Sequence, residues 1–190
     1  MRARMLLLSL VAAAAYAGPK LLDHVHLQWK PTSEMQLGTT QMSQARIQFL
    51  PFQDTRSSKE AIGENDEDDK PKPVTTSDDV GEFVGTHMRE LFNRAGMKTV
   101  DSDGDILIKG EITQFYVRET STYKSEVGVH LTVTNRAGTT LWAGLASGDA
   151  TRFGRSYKLE NYHEVLSDAV VNTVSSMLES AQFQGALSGH

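Results

Sequence analysis

Asp101, Asp103 and Asp105 alternate through Asp101-Ser102-Asp103-Gly104-Asp105, a spacing that can aim several carboxylate oxygens at one hard cation such as calcium. These three are the candidate metal ligands. An EF-hand loop begun at Asp101 needs glycine at its sixth position and glutamate at its twelfth, where this chain has Ile106 and Ile112. An Asp/Gly turn between two strands accounts for the same residues without a metal. His24 and His26 share one side of an extended segment, but no third ligand of the right type lies nearby in sequence. The remaining histidines, His87, His130, His163 and His190, form no ligand spacing. Apart from calcium, no cofactor is expected.

Arg152-Phe153-Gly154-Arg155-Ser156-Tyr157-Lys158 is the densest basic and aromatic stretch. It leads into a predicted helix, whose first amides attract anions. Arg152, Arg155 and Lys158 are therefore candidate anion or partner contacts, with Trp142 on the open sheet face beside them; a simple strand-to-helix linker is the alternative. Glu64 to Asp69 is an acid-rich run that reads as a solvated loop. No G-x-S-x-G occurs, and the absence of cysteine excludes a thiol nucleophile. A hydrolase would have to use a dispersed Ser/His/Asp set. No phosphate-cradling G-x-x-x-x-G-K-[ST] is present.

The start of the chain supplies an address. Arg2 and Arg4 precede an apolar run from Met5 to Ala15, and Ala15-Tyr16-Ala17 is a small-x-small site. Residues 1–17 read as a cleaved secretory signal peptide, too short to span a bilayer. A periplasmic or secreted protein is expected. With 24 acids against 19 bases and no basic block, the composition argues against nucleic acid as a partner. Without cysteine the exported domain must be held by its core alone.

The elements that must position these residues follow from periodicity. Residues 18–44 lack a sustained pattern and read as an irregular arm; 45–52 read as a first strand. The acidic stretch 53–77 has little to bury and reads as an exposed loop. Val80, Phe83, Val84, Met88, Leu91 and Phe92 make one helical stripe, capped by Ser77 or Asp78 and ended at Gly96. Met97 to Val100 is a short strand. Three longer strands follow over 105–119, 122–135 and 139–152, with a bulge at Gly110 and a hairpin turn at Asn135 to Gly138. In the last of them Leu141, Ala143 and Leu145 are expected inwards. A final helix over 161–180 opens with an Asn161/Glu164 capping box, and 181–190 reads as a frayed tail. The fold class is α+β: a two-layer sandwich in the order β-α-β-β-β-β-α, with both helices on one face of an antiparallel-rich sheet.

Several stretches of 45–180 resemble the YajG-like small periplasmic lipoproteins. They are Asp54-Thr55-Arg56 after the first strand, Ile62-Gly63, Phe92-Asn93-Arg94-Ala95-Gly96 at the helix end, Phe153-Gly154-Arg155-Ser156, and Asn161-Tyr162 running into Glu164-Val165-Leu166-Ser167-Asp168-Ala169. The resemblance implies an envelope protein and carries no catalytic residue. The chain departs from that pattern in lacking the cysteine that takes the lipid. The same element order is similar to that of envelope proteins that assist transport or assembly machines. A non-enzymatic binding or accessory protein of the bacterial envelope, with an envelope protein as partner, is the resulting expectation. A hydrolase with a dispersed site and a calcium-stabilised exported domain are the alternatives.

Overall fold

The computed structural model describes residues 21–35 and 44–188; the expected leader, residues 1–17, lies outside them. Among these residues β1 (Leu22–Val25), β2 (Ile47–Phe49), β3 (Gln53–Asp54), β4 (Ala61–Asn65) and β5 (Lys72–Thr76) precede helix α1 (Val80–Arg94). Then come β6 (Thr99–Val100), β7 (Ile106–Glu119), β8 (Thr122–Asn135) and β9 (Thr140–Phe153). Helices α2 (Leu159–Glu179) and α3 (Ala181–Leu187) close the chain. The result is an α+β fold with one open, mixed sheet.

β7 is the spine of that sheet. One side of it pairs along its length with antiparallel β8, which in turn carries antiparallel β9. The other side receives three short parallel strands in succession, β2 at Ile106–Ile108, β3 at Glu111–Ile112 and β4 at Val117–Glu119. β6 lies outside β2, while β5 and then β1 lie outside β4. Alternating side chains explain the layering, because Ile106, Ile108, Val127, Val129, Leu131 and Val133 are buried beneath the helices. α2 packs on β8 and β9, and α1 packs on β7 and α2.

The structure departs from the expected elements in five places. First, 53–77 is not one exposed loop. β4 and β5 form a hairpin held by buried Ile62 and Val74, which leaves only its acidic tip in solvent. Second, the arm contains β1. Third, the bulge of β7 falls between Ile112 and Gln114, not at Gly110. One extra residue there inverts the phase, so Phe115 and Val117 face inwards and Tyr116 does not. Gly110 instead leaves room for the Phe52 ring, which a Cβ would approach to 2.5 Å.

Fourth, β9 buries the opposite face from the expected one. Leu145 is 63% exposed and Ala146 buried, because the inner face must admit the α2 backbone. A Cβ on Gly148 would stand 2.4 Å from the Thr173 amide nitrogen and 2.5 Å from the Ala169 carbonyl oxygen. Trp142 consequently lies on the helix side, its ring 5.2 Å from Phe183. Fifth, the tail is the helix α3, with Phe183 fully buried and Ser180 accepting the Phe183 amide as its N-cap.

The helix starts also differ in their caps. Asp79 caps α1 by accepting the Glu82 amide at 3.0 Å, since the Asp78 carboxylate accepts the Leu27 amide and holds the His26 ring. α2 begins after Lys158 with no side-chain cap, and Asn161 reaches back to the Ser156 hydroxyl in place of a capping box.

Candidate functional site

Asp54-Thr55-Arg56 is a fold-making motif. The Arg56 guanidinium grips the Asp54 carboxylate through Nε at 2.9 Å and Nη2 at 2.8 Å, the bidentate geometry that suits this pair. Its other hydrogen bonds go to the carbonyls of Lys59, Ala61 and Phe115. The two side chains are only 7% and 10% exposed. Every donor is therefore turned inwards, and no face of the guanidinium is offered to a ligand.

The linker bases do not converge. Arg152 pairs with Glu164 of α2, and Arg155 Nε lies 3.4 Å from Glu67 at the β4–β5 tip. Lys158 contributes its backbone amide to the Tyr123 hydroxyl. Trp142 is far from them in role, packed under α3. The acceptor that organises this linker is Glu119, a residue that sequence reasoning passed over. Its Oε1 accepts the amides of Ser156 and Tyr157 at 2.9 and 2.8 Å, and its Oε2 accepts the Tyr162 hydroxyl at 2.7 Å. Burial pushes this carboxyl up, but hydrogen bonds from Asn65, the Ser156 and Tyr157 amides and Tyr123 outweigh it and hold the group below the usual glutamate value. Burial, then the hydrogen bond to Glu119 and its charge, raise the Tyr162 phenol in turn. Tyr157 sits at φ +46°, a left-handed conformation costly for a side chain of this size. Its hydroxyl accepts the Leu22 amide and donates to the Pro73 carbonyl, tying β1 and β5 to the linker.

Each of the three candidate metal ligands faces an arginine. Asp101 meets Arg89 at 2.7 Å, Asp103 meets Arg136 at 3.6 Å, and Asp105 meets Arg46 at 2.9 Å. The Arg46 hydrogen bonds hold the Asp105 carboxyl down at about 2. Among the described residues no three His, Cys, Asp or Glu side chains gather as a metal-holding group.

His26, His87 and His163 adjoin a clasp made by residues 26–33. His26 Nδ1 lies 3.0 Å from Asp78. The Thr32 and Ser33 amides and hydroxyls all bond to Asp168 of α2, at 2.6 to 2.9 Å. Trp29 stacks on His87 of α1 with ring centroids 4.1 Å apart. His163 is buried, its Nε2 finds no hydrogen-bond partner, and burial pushes its basicity down. Ser167 sits one turn on, but its hydroxyl donates to the His163 carbonyl and accepts the Lys30 amide, so it does not meet the imidazole. Among the described residues, the imidazoles with hydrogen-bonded side-chain partners meet carboxylates and not serines.

What remains open is the sheet face turned away from the helices. A depression of about 440 Å³ lies there over the β7 bulge, lined by Gln114, Lys124, Glu126, Leu145, Asp149 and Thr151 among others. Its walls mix polar and charged side chains with the apolar Val127, Leu145 and Ala150. It offers hydrogen-bonding and charged groups but no paired acid and base around a nucleophile.

No protein-family model matches the chain, and no curated protein sequence does. Solved structures do. The chain is similar to protein XCC0632 from Xanthomonas campestris, of family model DUF330, with a TM-score of 0.61 at 6% identity, over 88% of this chain and 97% of that one. The likeness is one of fold. A PelC dodecamer from Paraburkholderia phytofirmans is also similar, with a TM-score of 0.45 at 11% identity over 70% of this chain and 89% of that one. No helix among the described residues is long and apolar enough to cross a membrane.

Proposed function

We propose that the protein is a non-enzymatic binding or accessory module of the bacterial cell envelope, exported by its leader and YajG-like in organisation. The observation that carries this reading is the division of labour across the fold. The titratable clusters are used within the fold, as clamps on the linker, the hairpin and the arm, whereas no described element packs on the outer face of β7–β9. Its mixed polar and apolar floor, without a convergent set of reactive groups, suits a protein surface more than a reaction. The likeness to XCC0632 over 88% of this chain supports the fold, and residues 1–17 support export. No serine, histidine and carboxylate stand together in a described cleft, which favours the module over a hydrolase.

The test is expression of the full chain in a Gram-negative host, with fractionation and mass spectrometry of the mature N-terminus. Recovery in the periplasmic fraction starting at Gly18 is expected. Cytoplasmic recovery with the leader intact overturns the envelope assignment. A broad panel of ester and amide substrates should show no turnover, and turnover abolished by a single serine substitution overturns the non-enzymatic one.

A further inference from the structure

β9 forms one border of the sheet. It pairs with β8 on one side and with no other strand among the described residues. The Ala150 carbonyl accepts the Ser125 hydroxyl and so faces β8, whereas the Asp149 carbonyl accepts Asn172 Nδ2 from α2 at 2.7 Å and faces outwards. The register with β8 is regular from Phe153 back to Trp142. Strand alternation then turns the amides and carbonyls of Ala143, Leu145, Ser147, Asp149 and Thr151 to this edge, where an incoming strand would have to displace Asn172 from the Asp149 carbonyl. Native edge strands are usually short, or blunted by lysine or proline. This one runs for 14 residues and has neither.

Two further observations describe what would lie along it. Leu145 and Phe153 are 63% and 88% exposed on the outer side of this strand. Beside them Glu126 of β8 stands directly opposite Asp149 of β9, a like-charge cross-strand pair that costs stability. The neighbouring arginines are engaged elsewhere, Arg118 with Glu64 and Asp66, and Arg152 with Glu164, which leaves Lys124, opposite Thr151 on the same face, as one base beside two acids.

We infer that β9 is a docking edge for an extended basic segment of a partner protein, which adds as one more strand with a Lys or Arg opposite Asp149 and apolar side chains opposite Leu145 and Phe153. Main-chain hydrogen bonds supply the affinity, and alternate side chains supply the selectivity. A second copy of this chain fits the edge poorly. α2 lies directly beneath Gly148, and pairing two β9 strands about 4.8 Å apart would force two α2 helices inside the 8–10 Å or so that helices need. The net charge of −5 adds repulsion between copies. A segment without a helix of its own, and with small residues toward α2, avoids both penalties.

This inference rests on reading the chain as a binding module, and it can fail while the envelope address stands. The probe is a dye-labelled peptide, Ile-Ala-Thr-Ala-Lys-Ala-Thr-Ala-Ile, whose register sets its lysine opposite Asp149 and its isoleucines opposite Leu145 and Phe153. The control carries glutamate in place of the lysine. Fluorescence anisotropy against the full chain should show saturable binding of the lysine peptide, at least about tenfold tighter than the control. Ser147→Pro removes only an outward amide, which an edge strand tolerates, and should abolish binding with the circular dichroism spectrum unchanged. Glu126→Gln with Asp149→Asn should bring the two peptides within about twofold of each other. Absence of saturable binding, or binding that survives Ser147→Pro, overturns the inference. So does a concentration-dependent dimer in sedimentation equilibrium that Ser147→Pro dissolves, since a second copy would then hold the edge. If Ser147→Pro does not fold, Asp149→Asn alone decides: an undiminished preference for lysine overturns it.

Discussion

Arg56 uses its whole guanidinium inside the fold, against Asp54 and three backbone carbonyls. Removing one member of a buried pair leaves the other charge without water or a partner, which costs about 3–5 kcal/mol. Arg56→Ala should therefore lower unfolding free energy by about that much in urea titration. The double variant Asp54→Ala with Arg56→Ala should recover part of the loss, because no bare carboxylate remains. The Asp101–Asp105 turn leads to the opposite expectation for metal. Its three carboxylates already face Arg89, Arg136 and Arg46, so the thermal midpoint should be the same in EDTA as in millimolar calcium. A rise with calcium would show that the arginines yield to the cation. The aspartates could be picked out in sequence, but their partners could not, since Arg46, Arg89 and Arg136 come from three widely separated segments, before β2, within α1 and after β8.

At the scale of elements, the fit of α2 against β9 is set by clearance more than by hydrophobicity. Gly148 faces two backbone atoms of α2, neither of which can swing aside as a side chain does. Gly148→Ala should then cost about 1–3 kcal/mol by overpacking, whereas Gly138→Ala, in open space at φ +85°, should act only through its turn. α3 makes a complementary prediction. Phe183 is fully buried and meets both Phe92 and Trp142 edge-on, so Phe183→Ala should lose about 3–5 kcal/mol in the same titration.

These contacts show where periodicity reached its limit. The α1 stripe and the β7–β9 alternation were legible because each repeats its signal many times. The inward face of β9 was not, because Leu141 and Leu145 outweigh glycines in any apolar count, while the helix above demands small residues. One inserted residue at the β7 bulge inverted half a strand. β4 and β5 each rest on a single deeply buried aliphatic side chain, Ile62 and Val74, too little to stand out from acids and prolines. Glu119 was hidden for a related reason, since a charge on the inner face of a strand is read as the end of the core.

The whole molecule is held by buried ionisable groups that join distant segments, and this gives its stability a definite pH dependence. Glu119 binds the α2 linker and Tyr162 as a carboxylate, with a folded value below its ordinary 4.5. Once the pH falls below 4.5 the unfolded chain takes up the proton first, so acid withdraws the stability that Glu119 contributes at neutral pH. His163 acts in the same direction at higher pH. Burial lowers its basicity from 6.5, so the folded state holds it neutral while the unfolded state protonates below that value. Unfolding free energy should thus decline in two stages as the pH falls, from about 6.5 through His163 and from about 4.5 through Glu119. Glu119→Gln is less stable at pH 7 because the amides of Ser156 and Tyr157 lose a charged acceptor, yet its curve should be flatter between pH 5 and pH 3. His163→Phe should flatten the upper stage alone. Urea titrations of the three proteins across this range separate the stages, and an acid limb of equal slope in the wild type and Glu119→Gln would show that other carboxylates carry it.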